Sequence, residues 1–521
     1  MSSTWDLGFG PRGRRLRDTS GAESVRPRRL RGDEAAVSPG ASRRQQASAR
    51  VLRLVDEQVI EQRAEERLQP PALGWRVGGL SLDADGLFAF FLFLPLLFMA
   101  QLGPLGAAMA AAMIPIYVFV RRERLMQVIW PRLFLFLIPA FALFSVIWSE
   151  APGETFKAAI QLGLSVMAGL LISSARNQFA VLKGLAAAFV VYVAAAIALG
   201  SQVAIGMGAG GYALSGLSGS KNLLADIAST GAIIAIAVVM LGVRRRQPLW
   251  VLIGAGAILL DLYVVVAARS AGALLGLAMG ASAMLTLALL LLAGRVLRAW
   301  LTAAVALCLV AAGLSYRWLT QELIETGARI FDKDPTLTGR TYLWHRAGDL
   351  IREKPMLGRG FDAFWVQGNI DAEGLWRYFG IEERGGFTFH NTAVELLVTL
   401  GWTGLILTAA VALTGAVFLV RKFVERPSIA LVCWISLFLY QFARTPIETI
   451  GIAPFYFSTV LAFAALGAAF GRVKAPKAAR APYRHPQAPV SAPVDYTFTG
   501  WANARSAPAR GSLRLLRPDE P

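Results

Sequence analysis

The sequence predicts an all-α, polytopic membrane protein with about twelve transmembrane helices. Three observations carry that expectation. The 521-residue chain is 55% hydrophobic and only 17% charged, against about 25% charged in an ordinary soluble domain. Apolar stretches long enough to span a bilayer, ~20 residues, recur through its middle. Basic residues gather in the two tails and in short loops, the distribution that keeps Lys and Arg on the cytoplasmic side. A transmembrane β-barrel would instead show ~10-residue segments of alternating polarity. The net charge of +18 follows from the same distribution and gives no reason to expect nucleic acid. Cys308 and Cys433 both lie in apolar stretches, so neither reads as a disulfide framework or a metal site.

Residues 1–85 form a basic cytoplasmic tail. Within it, 1–48 are rich in Arg, Ser, Pro and Gly and are expected to be disordered. Residues 49–69 read as a short amphipathic helix with Leu52, Val55 and Val59 on one face, ended by Pro70-Pro71. Such a basic segment can also touch anionic membrane lipid. No apolar stretch begins until about Leu87, so the start does not read as a cleavable signal peptide. The spans are read at about 86–102, 104–120, 130–148, 155–174, 179–199, 222–242, 249–267, 270–293, 297–315, 392–420, 428–443 and 452–470, with Gly103-Pro104 dividing the first pair. The tail 472–521 is rich in Pro, Ala and Arg and is expected to be disordered.

Loop charges set the orientation. With the amino terminus cytoplasmic, loops 121–124, 175–178, 243–248, 294–298 and 421–427 are cytoplasmic too, and each carries Lys or Arg. Loop 149–154 is external and acidic, and both termini are cytoplasmic. Residues 316–391, between the ninth and tenth spans, form a large external loop. Its aromatic residues, Tyr316, Trp318, Trp344, Trp365, Trp376 and Tyr378, predict that it folds. The Gly-rich external loop 200–221 ends in SGSKN.

Candidate chemistry centres on residues 389–395, FHNTAVE, directly before the tenth span. Thr392 and Glu395 fit a capping box, each side chain reaching the other's backbone N–H, with Asn391 as further cap support. His390 lies outside that box, at the positive end of a helix dipole. An anion is favoured there, and a neutral imidazole beside it suits a general base that deprotonates a hydroxyl. The plain alternative is an interfacial histidine without a role. The apolar run 392–420 would extend roughly 43 Å as a helix, more than the ~30 Å hydrocarbon core. A break at Gly401-Trp402-Thr403-Gly404 would leave 392–400 as a separate short helix, tolerated where it lines a cavity.

Cations are expected on the same side: Lys221 in SGSKNLLAD, Arg269 in AARSAGALLG, Arg340 in TGRTYLWHRA and Arg444 in FARTPIE. Charges close to lipid tend to face a cavity or a partner, and the arginine fork suits phosphate oxygens. Each taken singly also fits a surface residue. Arg346, Arg352, Lys354 and Arg359 read as plain loop charges. Asp226 and Asp261 fall inside spans, where they could pair with Lys221 or Arg269 or do something else. No Walker loop, HExxH or CxxC pair occurs, so no metal or cofactor is expected.

TGRTYLWHRAGDLIREKPMLGRGFDAF (338–364) followed by FHNTAVELLVTLGWTGL (389–405) resembles the signature of the O-antigen ligase and Wzy-type polymerase superfamily. That signature is a G-R aromatic stretch, then P-x-x-G-x-G-F, then H-N before a helix. SGSKNLLA and AARSAGALLG resemble weaker upstream elements, and the resemblance spans roughly 86–470. It implies a GT-C-like inner-membrane bundle with a periplasmic loop, acting on an undecaprenyl-diphosphate-linked oligosaccharide at the periplasmic face. It implies metal-independent, inverting transfer to a glycan acceptor, with His390 as base and Arg340 and Arg269 on the diphosphate. One departure is the order Arg269-Ser270, where related sequences place Ser before Arg. The upstream elements look closer to exopolysaccharide polymerases. An O-antigen ligase acting on lipid A–core is the runner-up. A twelve-helix secondary transporter and a non-catalytic scaffold are readings of other classes. Polysaccharide export and chain-length proteins are natural partners for such an enzyme.

Overall fold

A computed structural model describes residues 74–77, 80–121, 128–204, 211–314, 339–382, 384 and 386–470, with the side chains of 74–82 and 305–314 left out. The helix read at 49–69, the rest of residues 1–73, residues 316–338, the tail 472–521 and the Cys308 side chain lie outside the described residues. Two antiparallel hairpins frame the start. β1 (Gly74–Val77) pairs with β2 (Leu80–Asp83). β3 (Ser201–Ala204) pairs with β4 (Tyr212–Gly216) in the loop read only as Gly-rich.

The helices follow the apolar periodicity closely. They are α1 (Ala84–Leu97), α2 (Met99–Leu102), α3 (Pro104–Val120), a 3-10 stretch running into α4 (Leu137–Phe144), α5 (Pro152–Ser174), α6 (Gln178–Leu199), α7 (Lys221–Arg244), α8 (Pro248–Ala267), α9 (Ala271–Leu290) and α10 (Arg295–Leu314). After the segment read as an external loop come α13 (Thr392–Glu425), α14 (Ile429–Arg444) and α15 (Phe457–Ala468). A helix overlaps every segment read as a span. Seven helical segments among the described residues are long and apolar enough to cross a membrane, so the chain is a multi-pass membrane protein. Ala84–Leu97, Pro104–Val120, Ile429–Arg444 and Phe457–Ala468 are apolar but shorter. α7 is the central helix, packed by α6, α8, α9 and α14, with 78% of its apolar window buried. α8 buries only 28% of its window and turns Leu252, Leu259 and Val266 outward, as a lipid-facing helix does.

Some loop arginines do more than set orientation. Arg298 is buried and donates to the carbonyls of Leu290, Ala293 and Val424. Arg132 donates to Val128, Gly467 and Phe470. Both satisfy carbonyls at helix carboxyl ends, where a cation also meets the dipole favourably. Arg121 instead pairs with buried Asp85 at 2.6 Å, an acceptor it shares with the Tyr117 hydroxyl.

The described part of the long loop is folded, as its aromatic content predicts. α11 (Arg340–Glu353) and α12 (Ile370–Phe379) enclose Leu343, Leu350, Phe364, Leu375, Trp376 and Phe389, and this core continues onto Val398 of α13. The junction is a break in α13. Gly401 sits at φ 65°, ψ −168°, inside an otherwise helical run. Residues 355–360 of the P-x-x-G-x-G-F stretch fill the gap. Trp402 and Thr403 N–H donate to the carbonyls of Pro355 and Met356, and Arg359 and Gly360 N–H donate to those of Val398 and Thr399. Glycine is required on both sides. A Cβ on Gly401 would lie 2.3 Å from the Met356 carbonyl carbon, and one on Gly358 2.5 Å from that of Thr399. Arg359, read as a plain loop charge, is buried and pairs with Glu150 at 2.7 Å and with Glu353.

Gly401→Ala combines that clash with a positive φ. It is expected to lower the melting temperature of the detergent-solubilised protein by an amount equivalent to about 3 kcal/mol or more. Gly348→Ala, on α11 with nothing within 4 Å of an added Cβ, should be neutral or stabilising by up to about 1 kcal/mol. Equal melting of Gly401→Ala and wild type would mean that the break tolerates a side chain.

Candidate functional site

The short helix before the break starts at Thr392, and its cap differs from the one the sequence suggests. The Asn391 side chain accepts from Ala393 and Val394 N–H at 3.0 and 3.1 Å, so Asn391 is the N-cap. The Thr392–Glu395 capping box does not form. The Thr392 hydroxyl donates to the carbonyls of Glu448 and Ile450 and accepts from Ile450 N–H, while its own N–H donates to Thr445. The Glu395 carboxylate accepts from Phe389 N–H at 2.9 Å and Trp365 Nε1 at 3.2 Å. The physical reason is competition: a neighbouring loop and an indole offer these side chains partners that an isolated helix start lacks.

Those contacts set the histidine. Glu395 holds Phe389 N–H, and Trp344 Nε1 donates to its carbonyl at 2.8 Å. His390 follows at φ 49°, a left-handed conformation that is uncommon outside glycine and costs about 1–3 kcal/mol. The segment after α14 is pinned alongside. Asn391 Nδ2 donates to Pro446, and the Thr392 bonds hold residues 445–450.

Glu448, in that segment, lies between His390 and Arg340. His390 Nδ1 is 3.2 Å from its Oε2, and Arg340 Nη2 is 3.1 Å from its Oε1. Arg340 also donates to the Ile447 carbonyl at 2.5 Å. Burial works to raise the Glu448 carboxyl. The hydrogen bond from His390 and the Arg340 charge outweigh it and hold the carboxyl below the ordinary glutamate range. An ionised carboxylate only accepts, so Nδ1 carries a hydrogen, and the tautomer that this bond selects has its lone pair on Nε2. The His390 side chain remains 31% exposed.

Beneath this group lies a buried pair. Arg444 and Asp226 are hydrogen-bonded at 5% and 4% side-chain exposure, and Tyr440 donates to Asp226 at 2.7 Å. Asp226 therefore pairs with Arg444 rather than with Lys221 or Arg269, and the Arg444 charge is committed within the protein. α9 comes close enough to cover the pair because it is small-faced. A Cβ on Gly276 would lie 2.9 Å from Arg444 Cδ, and one on Gly272 3.0 Å from Ile447 Cδ1. The turn before α9 carries Arg269, exposed and at φ 47°. Ser270 donates to Asn222, which follows Lys221, at 3.0 Å. The fold thus gathers His390, Arg340, Arg444, Arg269 and Lys221 at one end of the bundle. Neither Lys221 nor Arg269 forms an ion pair with a described residue. Asp261 lies apart against Gly231 of α7, with both oxygens buried and unpartnered. No cluster of three metal-ligating side chains occurs among the described residues.

Glu448 escaped sequence reasoning. Its only signal was position, four residues after Arg444 in ARTPIE, and nothing in the spacing links it to a histidine 58 residues away.

Residues 256–409 match the family model described as O-antigen ligase. The matched region holds Arg269, Arg340, the P-x-x-G-x-G-F stretch, His390 and the Gly401 break. A curated relative, described as "Exopolysaccharide production protein ExoQ" from Rhizobium meliloti (strain 1021), is 34% identical over 294 residues. The aligned region is 54% of this chain and 64% of that relative's length, so the chain spans somewhat less than two thirds of it. The chain is thus a multi-pass membrane protein that is similar, over its central and later helices, to the O-antigen ligase model and to that exopolysaccharide production protein.

Proposed function

We propose that the protein is a membrane glycosyltransferase that joins undecaprenyl-diphosphate-linked repeat units into an exopolysaccharide at the periplasmic face of the inner membrane. The reading includes twelve passes and cytoplasmic termini, as the loop charges suggest. The observation that carries it is the His390–Glu448–Arg340 group, built on the amino end of a half-helix. In this mechanism the acceptor hydroxyl attacks the anomeric carbon and gives its proton to His390 Nε2. The bond from that carbon to the diphosphate oxygen breaks, and the lipid diphosphate leaves with the electron pair. A single displacement inverts the anomeric centre. Arg269 and Lys221, uncommitted to any described carboxylate, supply charge for the diphosphate. Arg340 divides its guanidinium between Glu448 and the ligand, and Arg444 supports the floor through Asp226. Glu448 orients the imidazole and stabilises its cation, as an acidic residue does behind a histidine base.

The relative's description favours polymerisation, and the description of the family model favours a ligase reading, with lipid A–core as acceptor. Both break the same bond. Deleting the gene and complementing with wild type or His390→Ala separates them. Loss of long chains with single repeats retained means polymerase. Long carrier-bound chains that never reach lipid A mean ligase. Full complementation by His390→Ala would reject the mechanism.

Glu448→Gln is expected to cut polymer synthesis by on the order of 10²-fold and to lower stability by about 1 kcal/mol. Because the folded carboxyl is depressed, its stabilising contribution is complete above about pH 4.5. It is lost as pH falls through the lower folded value. Melting curves of wild type and Glu448→Gln should therefore converge only in acid. A gap that is flat with pH would mean the carboxylate is not ionised in the fold.

Arg444→Met leaves Asp226 buried and unpaired and should cost about 3–5 kcal/mol. Adding Asp226→Leu should restore most of that stability. If the refolded double variant also regains polymer synthesis, Arg444 is structural. If it melts normally but makes no polymer, Arg444 contacts the substrate.

A further inference from the structure

A run of aromatic rings leads away from His390 across the folded external segment. The Phe387 ring stands edge-on to His390 at 5.6 Å. Phe379 lies 5.4 Å from Phe387, Tyr378 5.0 Å from Phe379, and Tyr342 4.3 Å from Tyr378. The outer pair is open, with Tyr342 39% and Tyr378 61% exposed, and the inner two rings are half-buried. The inner part of the run is also tied to the cationic group. A Cβ on Gly339, the residue before Arg340, would lie 2.8 Å from Phe379 Cε1. On the inward side, Trp365 touches Phe387 at 5.1 Å and donates to Glu395. The rings thus stand on the scaffold that fixes the histidine.

We propose that Tyr342, Tyr378, Phe379 and Phe387 form a glycan subsite that holds the acceptor saccharide leading to His390. This rests on the glycosyl-transfer reading above and adds to it where the acceptor lies. Sugar rings present apolar C–H faces that stack on aromatic rings, and tyrosine combines such a face with a hydroxyl at its rim. The steps between rings are close to the width of a pyranose. The run ends at the group that takes the acceptor's proton, so the saccharide along it is the one whose hydroxyl attacks. Polar side chains flank the outer part: Arg346 bridges Asp349 and Asp371, 2.9 and 3.6 Å away on α11 and α12.

The test uses the full chain in detergent micelles and short, lipid-free oligosaccharides made by hydrolysing the producing cell's own polysaccharide. Binding is read by titration calorimetry, and chain length by sizing gels of complemented deletion cells. Wild type is expected to bind. Tyr342→Phe with Tyr378→Phe keeps both rings and should bind within about threefold of wild type. Tyr342→Leu with Tyr378→Leu should bind about tenfold more weakly and shift the polymer to shorter chains. Should the Leu pair not accumulate, Tyr378→Leu alone, at an open surface position, should weaken binding about threefold. No binding by wild type, or wild-type affinity in the leucine variants, overturns the subsite. Wild-type affinity combined with a lowered membrane level would make the rings interfacial anchors instead. Polymer made by His390→Ala would reject the transfer reading itself. Abolition by His390→Ala alongside unaltered leucine variants rejects only the subsite.

Discussion

Backbone polar groups near a bilayer core must find partners, and a broken helix leaves several exposed at once. In this protein the break in α13 at Gly401 is closed by four backbone hydrogen bonds from residues 355–360. Everything at the candidate site stands on that closure. It docks the segment that holds α11 and α12, because the stretch that fills the gap is continuous with α11. It also frees residues 392–400 to form a half-helix whose amino end lies at the site rather than inside a straight span. In an unbroken helix, residues 392–400 would instead continue the span by roughly 14 Å along its axis.

The half-helix does not position His390 by capping alone. Three segments distant in sequence converge on it: 340–344 through Trp344 and Arg340, 389–395 through its own bonds, and 445–450 through Glu448. Each fixes a different degree of freedom. Trp344 and Glu395 set the backbone at Phe389, the positive φ aims the ring, and Glu448 selects which nitrogen is free. The cost of the left-handed residue is offset by these contacts, which is how local strain persists at a functional site.

Periodic features were legible from the residues alone. The apolar runs placed the described helices outside residues 339–382, the excess length of 392–420 located the break at Gly401, and the loop's aromatics foretold a folded segment without marking α11 and α12. Features that depend on a tertiary partner were not. Thr392 and Glu395 satisfy a capping-box pattern, yet each bonds elsewhere because residues 445–450 and Trp365 compete for it. Asp226 looked free to pair with either neighbouring cation, and the small face of α9 at Gly276 brings Arg444 in instead. Glu448 had no pattern to announce it. The hairpin at 74–83 does carry a local signal, Gly-Gly between alternating residues in GWRVGGLSLD, whereas the one at 201–216 has no tight two-residue turn to mark it. Residues 1–73, 316–338 and 472–521, about which composition speaks most plainly, lie outside the described residues.

Charge at the two ends of the bundle does different work. At the end read as cytoplasmic, Arg132 and Arg298 are spent on helix carbonyls and Arg121 on Asp85. At the opposite end, Arg444 and Arg340 meet carboxylates, Asp226 and Glu448. That accounting leaves Lys221 and Arg269 as cations without a described counter-charge, joined through the Ser270–Asn222 bond. Exposed charges beside lipid are retained at a cost unless something anionic visits them. In the proposed transfer, a diphosphate leaving group would carry the charge that such a pair meets, and the two paired arginines would hold the proposed base and its floor rigid. The division between committed and uncommitted cations is therefore what a transferase needs: fixed groups to orient the proton acceptor, and free ones to receive a charge that appears only when the bond breaks.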